Sequence, residues 1–182
     1  MATQQLNPEA SSKVLERLRG KHVLITGTTG FLGKVVLEKL IRAVPDIGGI
    51  HLLIRGNKRH PDARDRFFEE IATSSVFDRL RQDDNEAFET FIEDRVHCVT
   101  GEVTEPLFGL SADRFRKLAG GIDVVVNSAA SVNFREELDK ALAINTRCLD
   151  NVAELARQNK SLAVLQVSTC YVNGMNSGQI TE

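Results

Sequence analysis

The sequence predicts an α/β fold, a doubly wound parallel sheet, and three observations carry that prediction. Short runs of Val, Ile and Leu alternate with helical patterns along the chain, as in βαβ units. The runs are almost continuously apolar rather than alternating, which strands covered on both faces require. The first run ends in Gly27, Gly30 and Gly33 and passes directly into a helical pattern.

Residues 1–12 have neither a basic start nor an apolar core, so they do not read as a secretory signal and are expected to be a flexible lead-in. The segment "SSKVLERLRG" reads as a short capped helix. The first strand is "HVLITG" at 22–27, and the helix after it places Leu32, Val35, Val36, Leu40 and Val44 at helical spacing and stops before Pro45. The second strand is "GIHLLIR" at 49–55. A charged insert, about 57–94, follows as two or three amphipathic helices with Phe67, Phe68, Ile71, Phe77, Leu80, Phe88 and Phe91 inward. A crossover needs only about a dozen residues, so the insert is an elaboration, read either as a surface layer or as a part with a direct substrate role.

The remaining strands are "VHCVTG" at 96–101, "DVVVNSA" at 123–129 and "AVLQVST" at 163–169. A long helix covers about 135–158, with Leu138, Leu142, Cys148, Leu149, Val152 and Ala156 as its apolar stripe. Asn145 falls on that stripe, where an amide needs hydrogen-bond partners. Residues 13–182 therefore read as one dinucleotide-binding domain of the Rossmann type.

Composition narrows the function classes. A chain of 182 residues is enough for one α/β domain, and a net charge of −2 gives no footprint for nucleic acid. No apolar run approaches the roughly 20 residues of a membrane span. Cys98, Cys148 and Cys170 are far apart and in no CxxC spacing, and His97 and Cys98 point to opposite faces of one strand. No metal site is expected; the cysteines read as small core residues in a reducing, cytoplasmic setting.

The glycine turn carries the chemistry. Across Gly27, Thr28, Thr29, Gly30, Phe31, Leu32 and Gly33, one glycine permits a sharp turn, one lets backbone close on a pyrophosphate, and one lets the helix pack on the strand. Free N–H groups at the helix start then hold the phosphates. A P-loop is excluded because no Gly-Lys-Ser/Thr follows. At the tip of strand two an acid would hold the ribose hydroxyls of NAD; the chain has Arg55 there, then Lys58 and Arg59, which suits the 2′-phosphate of NADP(H).

The spacing G-x-x-G-x-x-G, with "GEVT" at 101–104, "NSAAS" at 127–131 and "VSTCYVNG" at 167–174, resembles the extended short-chain dehydrogenase/reductase superfamily. Within it, "TGTTGFLGKVVLEKLIR", "LLIRG", "NSAASVNFREELDKALAINT" and "LQVSTCYVNG" are similar to the alcohol-forming fatty acyl-CoA reductases, in a bacterial version. The resemblance implies that Glu102 and Val103 sit by the adenine, although the family often has Asp at the position of Glu102. It implies that Ala129, Ala130 and Ser131 line the ribose and pyrophosphate, and that Asn145 anchors backbone near the active site. Thr169 matches the catalytic Ser/Thr, whose hydroxyl donates to the reacting carbonyl oxygen, with Ser168 as the alternative.

The superfamily's proton donor is a Tyr with a Lys four residues on. The single tyrosine, Tyr171, is followed four residues later by Met175, so it is not that residue, and no Y-x-x-x-K occurs. The expectation is an N-terminal part that stops after about the fifth strand, inside the active-site loop and before the Tyr/Lys pair. The resemblance then implies NADPH-dependent reduction of long-chain acyl-CoA to aldehyde or primary alcohol. Two alternatives stand: a thioester reductase acting on a carrier-bound acyl chain, and a non-catalytic NADP-binding sensor. The N-terminus without an upstream carrier domain favours a CoA substrate. An uncovered last strand would expose apolar surface, with self-association or peripheral membrane contact as the expected consequence.

Overall fold

The computed structural model describes residues 8–169 and 174–179. Helix α1 (Pro8–Leu18) leads into β1 (His22–Thr26), α2 (Phe31–Ala43) and β2 (Gly49–Ile54). The insert holds α3 (Ala63–Arg66), continued by a π-turn at Phe67–Ile71, a 3-10 turn at Ser75–Phe77 and α4 (Asp78–Arg95). Then come β3 (Val96–Thr100), a 3-10 turn at Pro106–Gly109, α5 (Ala112–Gly121) and β4 (Val124–Asn127). The last stretch is α6 (Leu138–Leu142), a π-turn at Ala143–Arg147, α7 (Cys148–Gln158) and β5 (Ala163–Gln166).

The five strands form one parallel sheet in the order β3-β2-β1-β4-β5. This is the doubly wound order, with its direction reversing between β1 and β4. On one face Val23, Ile25, Ile50, Leu52 and Ile54 pack with Leu37 and Ile41 of α2 and with Phe67, Phe77, Phe88 and Ile92 of the insert. On the other, Leu24, Leu53 and Val125 pack with Phe115 and Leu118 of α5 and Val152 and Leu155 of α7. Burying both faces removes the apolar strand surface from water, the main term that holds such a sheet together. The insert is thus part of the first core. Asp62 caps α3 by accepting the Arg64 N–H at 2.7 Å and receives the Thr100 hydroxyl at 3.3 Å, which ties the insert to the end of β3.

Several expectations need correction. Helix α1 starts at Pro8, ahead of the segment from Ser11 that reads as a short helix in the sequence. In α2 the buried phase is Gly33, Leu37, Leu40, Ile41 and Val44, whereas Leu32 is 44% exposed. Phe68 is 40% exposed and lies under the Arg64 guanidinium, 5.0 Å from its ring centroid. The long helix begins at Leu138 rather than 135, and Leu138 and Leu142 are exposed. His97 and Cys98 do point to opposite faces: the His97 ring lies against that of His51, tilted by 44°, and Cys98 packs against the first core. Burial raises the Cys98 thiol pKa to about 11, and Cys148 is raised by the same cause, so neither is a ready nucleophile. Cys170 and Tyr171 lie outside the described residues. No described helix is long and apolar enough to cross a membrane.

Candidate functional site

The carboxyl ends of β1 and β4 diverge into two turns that meet at the switch point. Gly27 has φ +77°, a left-handed conformation, and a Cβ there would lie 2.7–2.8 Å from the backbone of Ser128 and Ala129. A Cβ on Gly33 would strike the Gly27 carbonyl oxygen and lie 2.7 Å from the Thr28 Cα, so α2 packs directly on the turn. Gly30 donates its N–H to the Gly27 carbonyl at 3.0 Å and occupies the cap of α2 without offering a side-chain acceptor. The first-turn N–H groups of α2 are therefore left for a ligand, at the positive end of the helix.

Thr28 is 1% exposed, and its hydroxyl has no hydrogen-bond partner among the described residues. A buried orphan hydroxyl carries a desolvation cost that a ligand oxygen would remove. Thr29 and Phe31 of the same turn are exposed, Phe31 at 84%. The glycine cradle and the orphan hydroxyl together fit a dinucleotide pyrophosphate.

A polar row lies beneath the crevice, buried at Thr26 and Asn127. The Thr26 hydroxyl donates to Asn127 Oδ1 at 2.6 Å and accepts the N–H groups of Ser128 and Ala129, each at 3.1 Å. Ser128 returns its hydroxyl to the Thr26 carbonyl at 2.6 Å, and Asn127 Nδ2 donates to Gln166 Oε1 at 2.7 Å. Register aligns Thr26 with Asn127 and Asn127 with Gln166, so the row crosses β1, β4 and β5. It fixes the turn carrying Ala129 and Ala130 against the glycine turn. The row leaves only a faint signal in the sequence, one polar residue at the end of each apolar run.

Asn145 sits in the π-turn and clamps Ser131: its Oδ1 accepts the Ser131 N–H at 2.8 Å, and its Nδ2 donates to the Ser131 carbonyl at 3.1 Å. The backbone of Ser131 is thereby spent on Asn145, and its hydroxyl donates to Glu136 at 3.1 Å. Asn145 thus reaches the crevice through Ser131. π-Turns within helices recur at functional sites.

At the far side of the crevice, Arg55 follows the last residue of β2, with Nη1 3.2 Å from Glu102 Oε2. Glu102 lies in the loop after β3, and this loop is strained: Leu107 and Phe108 have φ of 53° and 58°. Asn151 of α7 holds it, donating to the carbonyls of Val103 at 2.9 Å and Glu105 at 2.8 Å and accepting the Leu107 N–H at 2.8 Å. Asn151, unnoticed in the sequence, is a buried amide satisfied three times. Ser168 and Thr169 lie just beyond β5, on the same carboxyl edge, and are exposed. Val164 and Leu165 of β5 are 46% and 53% exposed. Among the described residues no group of three His, Cys, Asp or Glu side chains is placed to hold a metal ion.

Residues 25–182 match the family described as male sterility protein, an NAD-binding family. The chain is 39% identical to fatty acyl-CoA reductase 2, chloroplastic, of Arabidopsis thaliana, over 93% of this chain and 27% of that protein. It is 35% identical to the alcohol-forming fatty acyl-CoA reductase of Simmondsia chinensis, over 96% of this chain and 36% of that one. The chain thus spans about a third of the length of these relatives. Among solved structures, the terminal R domain from the myxalamid PKS-NRPS biosynthetic pathway aligns with a TM-score of 0.66 at 25% identity, over 87% of this chain and 37% of that domain. The reductase domain of a non-ribosomal peptide synthetase from Mycobacterium tuberculosis aligns with a TM-score of 0.63 at 28% identity, over 92% and 38%.

Proposed function

From the premise that the chain belongs to the male sterility protein family of nicotinamide-dinucleotide-binding domains, we propose that it is the NADPH-binding part of a reductase that converts long-chain fatty acyl-CoA to aldehyde, alcohol or both. The observation that carries the cofactor half is the glycine cradle closed against Ser128 and Ala129, next to a buried Thr28 hydroxyl that has no hydrogen-bond partner among the described residues. Arg55 at the tip of β2 supports the phosphorylated dinucleotide over NAD. The substrate half is supported by relatives named as fatty acyl-CoA reductases.

In this reading the first turn of α2 and Thr28 hold the pyrophosphate, while Ala129 and Ala130 set the floor beside the ribose. A reduced nicotinamide held there would supply the hydride for reduction of a thioester and of the aldehyde formed from it. The Thr169 hydroxyl, with Ser168 as alternate, donates to the carbonyl oxygen as charge builds on it.

The test is palmitoyl-CoA-dependent consumption of NADPH, assayed on the polypeptide as the cell makes it, with free thiol and aldehyde or alcohol quantified. Release of one thiol per NADPH consumed with aldehyde as product, or per two NADPH with alcohol as product, supports the reading; no turnover of any acyl-CoA contradicts it. A second reading, reduction of a carrier-protein-bound thioester, is favoured by the alignment with solved reductase domains of peptide synthetases. Turnover of an acylated carrier protein but not of acyl-CoA selects that reading.

A further inference from the structure

We propose that Glu102 is a specificity-determining countercharge that holds the preference for NADPH over NADH below the level Arg55 alone would give. This rests on the NADP reading above. Arg55 is fixed at its backbone, where Arg66 Nη1 donates to its carbonyl at 2.6 Å, but its side chain is 68% exposed. Glu102 is the more buried partner at 23%.

Glu102 is also the more constrained. Its N–H donates to the Phe108 carbonyl at 3.0 Å, its carbonyl accepts the Glu105 N–H at 3.1 Å, and its second carboxylate oxygen faces the Thr104 N–H at 3.4 Å. The left-handed turn at Leu107 and Phe108 and the Asn151 clamp hold the same loop. The carboxylate is therefore a fixed negative charge beside a movable positive one.

A guanidinium offers a second edge, so Arg55 can meet a 2′-phosphate without releasing Glu102. The phosphate then arrives as a dianion close to a carboxylate that cannot retreat, and repulsion offsets part of the attraction to Arg55. The 2′-hydroxyl of NADH carries no charge and can donate to a carboxylate, as it does to the acid at the tip of strand two in NAD-binding folds. Glu102 thus penalises one dinucleotide and tolerates the other.

The experiment measures dissociation constants of NADPH and NADH by fluorescence titration for the wild type, Glu102→Gln and Glu102→Asp, at low and high salt. Glu102→Gln should tighten NADPH roughly three- to tenfold and leave NADH within about twofold, with the gain shrinking at high salt. Glu102→Asp, which keeps the charge but shortens the reach to Arg55, should stay near the wild type. Weaker NADPH binding in both variants would show that the carboxylate orients Arg55 instead, and would overturn the proposal. Equal changes for both nucleotides would also overturn it. A wild type that binds neither nucleotide removes the cofactor reading itself, and circular dichroism of each variant separates misfolding from altered binding.

Discussion

The Thr26 hydroxyl and the Asn127 amide meet at 2.6 Å across the carboxyl ends of β1 and β4, although 101 residues separate them in sequence. Through this one oxygen the two turns of the crevice are held in register, because it also receives the N–H groups of Ser128 and Ala129. Thr26→Val keeps the shape of the side chain and strands those donors in a buried site. Unfolding by urea should show a loss of about 2 kcal/mol, with nucleotide affinity falling as well, and Thr26→Ser should recover most of both.

Gly33→Ala places a methyl group against the Gly27 carbonyl and the Thr28 backbone, where nothing on a flexible side chain can give way. The helix must lift from the turn. Dinucleotide binding should weaken by about tenfold or more while the far-UV circular dichroism stays that of an α/β protein. Unchanged affinity would remove the glycine turn from the binding site.

The amino-terminal edge of the sheet predicts sensitivity to acid. His51 lies between His22 and His97, with ring centroids 5.5 and 4.9 Å away, and its Nε2 is 3.3 Å from His22 Nδ1. Burial first, then the neighbouring His97 and His22, lowers its pKa from 6.5 to about 4. The folded value is below the unfolded one, so the unfolded chain takes up the proton first as pH falls. Stability from the neutral ring should therefore be complete above about pH 6.5 and be lost progressively toward pH 4. Urea midpoints measured across that window should fall, and His51→Gln should flatten the slope.

The strands were readable because each is a compact run of buried Val, Ile and Leu ending near a glycine or polar residue. Helix phase was harder. Leu32 belongs to the apolar spacing of α2, yet the first turn of that helix faces the crevice rather than the sheet. In the long helix, the π-turn at Ala143–Arg147 adds a residue to one turn, so Leu138 and Leu142 do not continue the line of Cys148, Val152 and Leu155. Gly27, Gly30, Gly33 and Arg55 were readable because their spacing is local. Thr26, Asn127, Gln166 and Asn151 were not, since their roles exist only once distant strands and loops are brought together. The pairing of Arg55 with Glu102, 47 residues apart, is of the same kind.

The most direct test of the account is a titration of the chain with NADPH and, in parallel, NADH, for the wild type and Arg55→Ala. The account predicts saturable binding with NADPH preferred. It also predicts that the substitution weakens NADPH roughly ten- to a hundredfold while leaving NADH nearly unchanged, since one charge-assisted contact to the 2′-phosphate is removed. Binding of both nucleotides with equal affinity, unaltered by Arg55→Ala in a folded protein, would contradict it.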